Sequence, residues 1–177
     1  MQTLFLDRDG VINKRIPGDY IRSPEAFELL PGVAEALNIL SKKFDLIIVV
    51  TNQQGISKGL MSELDLANVH QKMREQIEAA GGRIDAVYHC PHLSAANCPC
   101  RKPATGMAWK ALQDFPTIDF ENCWMVGDSI SDMKFAESLG LRKVLIRGKF
   151  EELENLKDVQ VDYTFDALLD FARLWAM

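Results

Sequence analysis

The chain has 177 residues, of which 47% are hydrophobic, with a formal net charge of −5 and an isoelectric point near 5.2. This length supports one globular domain with a substantial core, and the acidic balance argues against general binding to nucleic acid or anionic membrane, so an anionic ligand must be held by a few local cations. No run approaches the ~18–20 apolar residues of a membrane span, and the first residues enter a strand pattern without a charged leader; a soluble, cytoplasmic protein is expected.

Thr3-Leu4-Phe5-Leu6 reads as a strand buried on both faces, and it stops at Asp7-Arg8-Asp9-Gly10. Two carboxylates two positions apart repel each other and need either a cation between them or a shared proton. Gly10 allows the backbone to bend there. Residues 13–23, with Pro17 and Gly18, read as a loop above the strand end. After Pro31-Gly32, the apolar positions Val33, Ala36, Leu37 and Leu40 have helical spacing, closing on Lys42-Lys43. A second apolar strand, residues 46–50, runs into Thr51-Asn52-Gln53-Gln54-Gly55.

Ser62 is placed to cap a helix carrying Leu66, Val69, Met73 and Ile77, stopped by Gly81-Gly82. Residues 84–88 predict a third strand, followed by a cysteine-bearing loop over 90–103 and a short helix over 106–114. Cys123-Trp124-Met125-Val126 is a fourth strand ending at Gly127-Asp128-Ser129, with a helix over 131–139 after it. Residues 144–146 form a fifth strand. The last ~30 residues predict an acidic helix, an edge strand near Tyr163 and a helix bearing Leu168, Phe171 and Trp175.

Alternating strands and helices predict an α/β, Rossmann-like, three-layer α/β/α domain spanning 1–177 with a parallel central sheet. Ligands in such folds bind beyond the carboxyl ends of the strands. Asp7, Asp9, Thr51, Asn52 and Asp128 all fall there. Asp7, Asp9 and Asp128 form a hard, oxygen-rich set suited to Mg²⁺, while Thr51, Asn52, Arg101 and Lys102 can meet phosphoryl oxygens. These are the parts of a phosphoryl-transfer site: Asp7 attacks as a nucleophile, and Asp9 gives a proton to the leaving alcohol and later takes one from water. Cys90, His92, Cys98 and Cys100 offer three thiolates and one imidazole in one loop, a donor set for a closed structural zinc, whereas Cys123 lies in an apolar strand as an inert thiol. His70 and His89 read as structural residues.

The order Asp7-Arg8-Asp9-Gly10, Thr51-Asn52, Arg101-Lys102-Pro103, then Gly127-Asp128 with Asp132 resembles the four motifs of the haloacid dehalogenase superfamily of phosphatases. The resemblance implies that Asp7, the Asp9 carbonyl and Asp128 hold Mg²⁺, that Asp132 supports a metal-bound water, and that Thr51, Asn52 and Lys102 stabilise the transferring group. The cysteine loop followed by Arg-Lys-Pro is similar to the heptose-bisphosphate and histidinol-phosphate phosphatase families, and the segment from Gly18 to Val33 is closer to the former. This implies a small-molecule phosphate ester as substrate, with Arg101, Gln53, Asp19 and Tyr20 lining its site. Two positions depart from that pattern: Gln54 stands where the family often has Ser, and Ser129 where it often has Lys or Arg. No insertion is long enough for a separate cap domain, so an open site and a monomer are expected. A competing class, the phospho-acceptor signalling domain, also clusters Asp, Thr and Lys on a parallel sheet, but its acceptor sits at a central strand and it has no zinc loop.

Overall fold

The computed structural model describes residues 1–147 and 159–176. Six parallel strands form one sheet: β1 (Thr3–Leu6), β2 (Leu46–Asn52), β3 (Ala86–Cys90), β4 (Cys123–Gly127), β5 (Arg142–Ile146) and β6 (Tyr163–Phe165). Their order is β3-β2-β1-β4-β5-β6. The chain winds outward from β1 to β3, returns to the other side of β1 for β4, and continues outward again. The carboxyl ends of β1 and β4 therefore flank the crevice where the winding reverses, the place at which open α/β sheets receive ligands.

Among the described residues, five helices cover the sheet: α1 (Val33–Lys43), α2 (Glu63–Ala79), α3 (Gly106–Asp114), α4 (Ile130–Leu139) and α5 (Leu168–Ala172). Successive strand residues point to opposite faces, which divides the core in two. Leu4, Leu6, Ile47, Val49, Trp124 and Val126 pack with residues of α1, α2 and α5. Phe5, Ile48, Val50 and Met125 pack with residues of α3 and α4 on the other face. Every residue of β1 and β4 is buried, so their apolar runs needed no alternation, and the strand ends gain a rigid frame.

Two capping boxes start helices where the sequence places Ser before an acidic third residue: Ser62 with Asp65 on α2, and Ser129 with Asp132 on α4. Helix α4 thus begins one residue earlier than predicted. The third strand also differs, running over Ala86–Cys90 in place of 84–88. Asp85 precedes it because its carboxylate accepts from the Ile47 N–H at 2.7 Å, and the parallel register continues until Cys90 lies opposite Asn52. Cys90 is thereby carried to the same rim as the aspartates. The acidic helix expected in the last ~30 residues falls on 148–158, outside the described residues. Between β1 and α1 the described chain holds a short 3₁₀ turn, Pro24–Ala26, and isolated bridges pairing Asn13 with Asp9 and Leu29. Among the described residues, no helix is long and apolar enough to cross a membrane.

Candidate active site

The carboxyl ends of β1 and β4 bring Asp7 and Asp128 together, and the first turn of α4 adds Asp132. One ligand-type atom from each lies within 4.8 Å of the others, and all three residues are buried. Two glycines make this approach possible. A Cβ on Gly10, whose φ is +93°, would stand 2.1 Å from Asp128 Oδ2, and one on Gly127 would stand 2.2 Å from the Asp132 Cβ. Asp132 is aimed by its cap: Oδ2 accepts from the backbone N–H of Asp128 at 3.2 Å and of Ser129 at 3.1 Å, and from the Ser129 hydroxyl at 2.6 Å.

Lys102 closes the cluster. Its Nζ lies 2.8 Å from Asp7 Oδ1 and 2.7 Å from Asp132 Oδ1, and also donates to the Val50 carbonyl at 2.6 Å. Burial disfavours the ammonium, yet the two carboxylates outweigh it and raise the Lys102 pKa. Asp7 shows the opposite balance. Burial pushes its pKa up to about 6, with Lys102 pulling it back and Asp132 and Asp9 adding to the rise. One ammonium is shared between the two buried carboxylates of Asp7 and Asp132 and Arg15 pairs with Asp128, so the three carboxylates of the cluster face two cations.

The Asp9 carboxylate stands apart from this cluster. It accepts two bonds from Arg8 Nη2 (2.9 and 3.0 Å), one from Asn13 Nδ2 (3.0 Å) and one from Gln53 Nε2 (2.7 Å). Burial raises its pKa, but the Arg8 charge and these hydrogen bonds overcome that and hold it below the ordinary carboxylate value. Arg8 is itself completely buried and is backed by His70, whose Nε2 lies 3.1 Å from Nη1. Burial, then the neighbouring Arg8, lowers the His70 pKa to about 3, so the neutral ring accepts from the guanidinium. His70 and His89 are not in the described metal-type clusters; His89 faces Glu63 at 2.8 Å.

The cluster opens into a cleft of about 890 Å³ lined by Asp7, Asp9, Thr51, Asn52, Gln53, Arg101 and Lys102, with Asp19 and Tyr20 from the loop after β1. Thr51 Oγ1 accepts from Gln53 Nε2 at 2.9 Å. Asn52 has a more specific task than offering donors to the cleft: its amide exchanges two hydrogen bonds with the Lys102 backbone, at 3.1 and 3.0 Å, which pins the lysine loop to the end of β2. Tyr20 packs against Gly55 and accepts from Lys58 Nζ at 3.0 Å. Asp19 is exposed and pairs with Arg22.

A second donor cluster lies beside the lysine loop. The sulfurs of Cys90, Cys98 and Cys100 are 3.2–3.5 Å apart, and His92 Nδ1 is 3.5 Å from Cys90 Sγ and 3.2 Å from Cys100 Sγ. None of the cysteines is in a disulfide. A tetrahedron with metal–sulfur bonds of about 2.3 Å has sulfur–sulfur edges of roughly 3.8 Å, so four converging donors at these spacings fit one small, thiophilic ion. Cys123 is buried away from this cluster, its thiol pushed up to about 11 chiefly by burial.

A family profile described as HAD-hydrolase-like matches residues 99–171. The chain is 36% identical over 174 residues to the D-glycero-β-D-manno-heptose-1,7-bisphosphate 7-phosphatase of Pseudomonas putida, covering 98% of each chain. The chain belongs to the haloacid-dehalogenase-like phosphatase family. It is also 43% identical over 136 residues to the D-glycero-α-D-manno-heptose-1,7-bisphosphate 7-phosphatase of Mycobacterium bovis, covering 77% of this chain and 72% of the relative. Among solved structures, D,D-heptose 1,7-bisphosphate phosphatase from B. bronchiseptica, complexed with magnesium and phosphate, superposes with a TM-score of 0.89 at 29% identity over 98% of this chain and 97% of that one.

Within this family frame, several residues around the cluster escape a linear reading. Arg15 donates to the Asp9 carbonyl at 2.9 Å and to Asp128 Oδ1 at 2.6 Å across 113 positions of sequence. Asn13, His70 and Lys58 likewise acquire their places only through folding. The signal available beforehand was the placement of residues 13–23 as a loop above the end of the first strand, with residues of that loop expected to line the site.

Proposed function

We propose that this chain is a Mg²⁺-dependent phosphatase that removes the 7-phosphate of D-glycero-D-manno-heptose 1,7-bisphosphate, working in the cytoplasm as a monomeric single domain. The observation that carries the reading is the buried set of Asp7, Asp128 and Asp132, three carboxylates facing two cations, Lys102 on Asp7 and Asp132 and Arg15 on Asp128, with Asp7, Asp132 and both cations lining an open cleft. Its substrate follows the names of relatives that match nearly the whole chain. The donors fit the ion: three buried carboxylates with hard oxygens and no nitrogen or sulfur among them suit Mg²⁺. Asp7, the Asp9 carbonyl and Asp128 would hold it, with Asp132 beside them. When bound, the ion neutralises charge on the phosphoryl oxygens and steers them toward Asp7.

In this reading Asp7 attacks phosphorus in line with the departing sugar oxygen, forming an aspartyl-phosphate, and Lys102 and the Thr51 hydroxyl meet charge on the equatorial oxygens. Asp9 carries the proton. Held ionised by Arg8, Asn13 and Gln53, it is set to take a proton from the hydrolytic water; to give one to the leaving alcohol it must first turn from Arg8 toward the cleft and take up a proton from solvent there. Arg101, Gln53, Asp19 and Tyr20 line the cleft and select the sugar phosphate. The Cys90, His92, Cys98 and Cys100 cluster holds a structural zinc that fixes the loop delivering Arg101 and Lys102, and a closed site of four protein ligands leaves no position for substrate.

The test is a substrate panel containing both heptose-bisphosphate anomers, histidinol phosphate and simple sugar monophosphates. Loss of the 7-phosphate at a kcat/KM at least 100-fold above the other esters is expected, and equal or faster turnover of histidinol phosphate would refute the assignment. Replacing Asp7 with Asn should lower kcat by 10³-fold or more and eliminate the acid-labile phosphoenzyme seen on rapid quenching.

A further inference from the structure

The loop after β1 contributes a cation for which the catalytic scheme has no use. Arg15 reaches over the crevice so that Nε donates to the Asp9 carbonyl at 2.9 Å and Nη2 to Asp128 Oδ1 at 2.6 Å. Those are two of the groups assigned above to the divalent ion, and the present inference rests on that assignment. A guanidinium presents several donors in a planar fork, and here the fork joins oxygens delivered by two different strands. The seat is shaped for it: a Cβ on Gly10 would fall 2.8 Å from Arg15 Nε and 2.1 Å from Asp128 Oδ2, so glycine at that position admits both.

The two partners differ in their freedom to move. The Asp128 side chain is 1% exposed, whereas that of Arg15 is 31% exposed and lines the cleft. Lys102, the cation on the other side of the cluster, is 2% exposed and locked between Asp7 and Asp132. A guanidinium and a divalent ion on the same carbonyl and carboxylate would be in contact in a buried, poorly screened place, where like charges repel strongly. Of the two cations facing the cluster, Arg15 is the one with a way out.

We propose that Arg15 is a positioning residue that stands in for the divalent ion. Its guanidinium keeps the Asp9 carbonyl and the Asp128 carboxylate aligned against the mutual repulsion of the aspartates, yields both to the ion, and turns outward into the cleft. Metal binding is then an exchange of cations, and its apparent affinity is reduced by the strength of the arginine bridge. The arginine lowers ion affinity in return for a site already assembled when the ion arrives.

Calorimetric titration of Mg²⁺, and of Mn²⁺ read by electron paramagnetic resonance, into EDTA-stripped full-length protein tests this without substrate. Arg15→Met keeps the aliphatic stem and removes the charge; it should bind either ion at least tenfold more tightly than the wild type and, without metal, melt at a lower temperature. Arg15→Lys, which keeps charge but cannot span both oxygens, should fall between them. Unchanged or weaker ion binding by Arg15→Met overturns the exchange and leaves the metal assignment standing. Asp128→Asn checks that assignment separately: wild-type ion affinity in this variant, or no ion binding by the wild type, overturns the metal site and the exchange with it.

Discussion

The two clusters of metal-type donors in this protein are built on opposite plans. The cysteine cluster takes its four donors from one short segment, Cys90 to Cys100, so it can close with little help from the remainder of the chain. The aspartate cluster joins Asp7, Asp128 and Asp132 across more than a hundred residues, and only the parallel pairing of β1 with β4 makes them neighbours. One is a local staple of neutral-pH thiol and imidazole donors. The other is buried like charge, stabilised by Lys102 and Arg15, which come from elsewhere in the chain. A cluster of the second kind places chemically tense groups on a rigid frame, and one of the first kind supplies the frame where no sheet reaches. Arg101 and Lys102 sit at the junction, immediately after Cys100: Arg101 lines the cleft and Lys102 reaches the aspartates.

The largest expected effect comes from removing that junction's charge. Lys102→Met leaves Asp7 and Asp132 buried without their shared cation and should cost about 3–5 kcal/mol in metal-free protein, measured by denaturant unfolding. A loss under about 1 kcal/mol would mean that the aspartates are compensated by other groups. Next is the pH dependence of the aspartate cluster. Burial raises the Asp7 pKa to about 6 from an ordinary 3.8, so the folded protein holds that proton more tightly than the unfolded chain. This stabilising contribution is complete below about pH 4 and is lost as the pH rises through about 6. Metal-free Asp7→Asn should therefore gain on the wild type by about 3 kcal/mol between pH 4 and 7, visible as a widening gap in melting temperature; a constant gap would contradict the assignment.

A smaller effect should mark the cysteine cluster. Because Cys90 is the one member of the cluster inside a core layer, while Cys98 and Cys100 pack at its margin, Cys98→Ser or removal of the proposed zinc should loosen the loop more than it unfolds the protein. The expected result is a loss of about tenfold in kcat/KM, about 1.4 kcal/mol, with the cooperative unfolding transition retained; global unfolding on chelation would show that the staple supports the entire fold. The smallest effect is expected from Asn52→Ala, which removes two hydrogen bonds to the Lys102 backbone and should cost about 1 kcal/mol or slightly more. If Asn52 instead met substrate directly, KM would rise with stability unchanged.

Much of this could be read in the linear chain because the signals were locally consistent. Apolar runs of strand length ended in polar residues, and Ser62 preceded an acidic third position. The errors had local physical causes as well. The third strand was displaced by two residues because Asp85 is occupied by the Ile47 N–H, and α4 starts at Ile130 because Ser129 is its cap. Other features left no linear trace. Nothing in the loop after β1 distinguished Arg15 from the neighbouring Lys14, yet one spans the crevice while the other pairs with Glu28 at the surface. Asn52 was expected to face the cleft, which it lines, but nothing in the linear chain showed that its amide also holds the backbone of a residue fifty positions away.

By itself the sequence determined the strand and helix pattern, the positions at which strands end in carboxylates, and the four donors of the cysteine loop, since these depend on periodicity and short spacing. The tertiary structure alone decided which charges confront one another. Strand order placed β4 beside β1, burial withdrew solvent from Asp7 and Lys102, and the contact between Gly10 and Asp128 admitted Arg15. Electrostatic interactions depend on distance and local dielectric in three dimensions, and neither quantity is written in the order of residues.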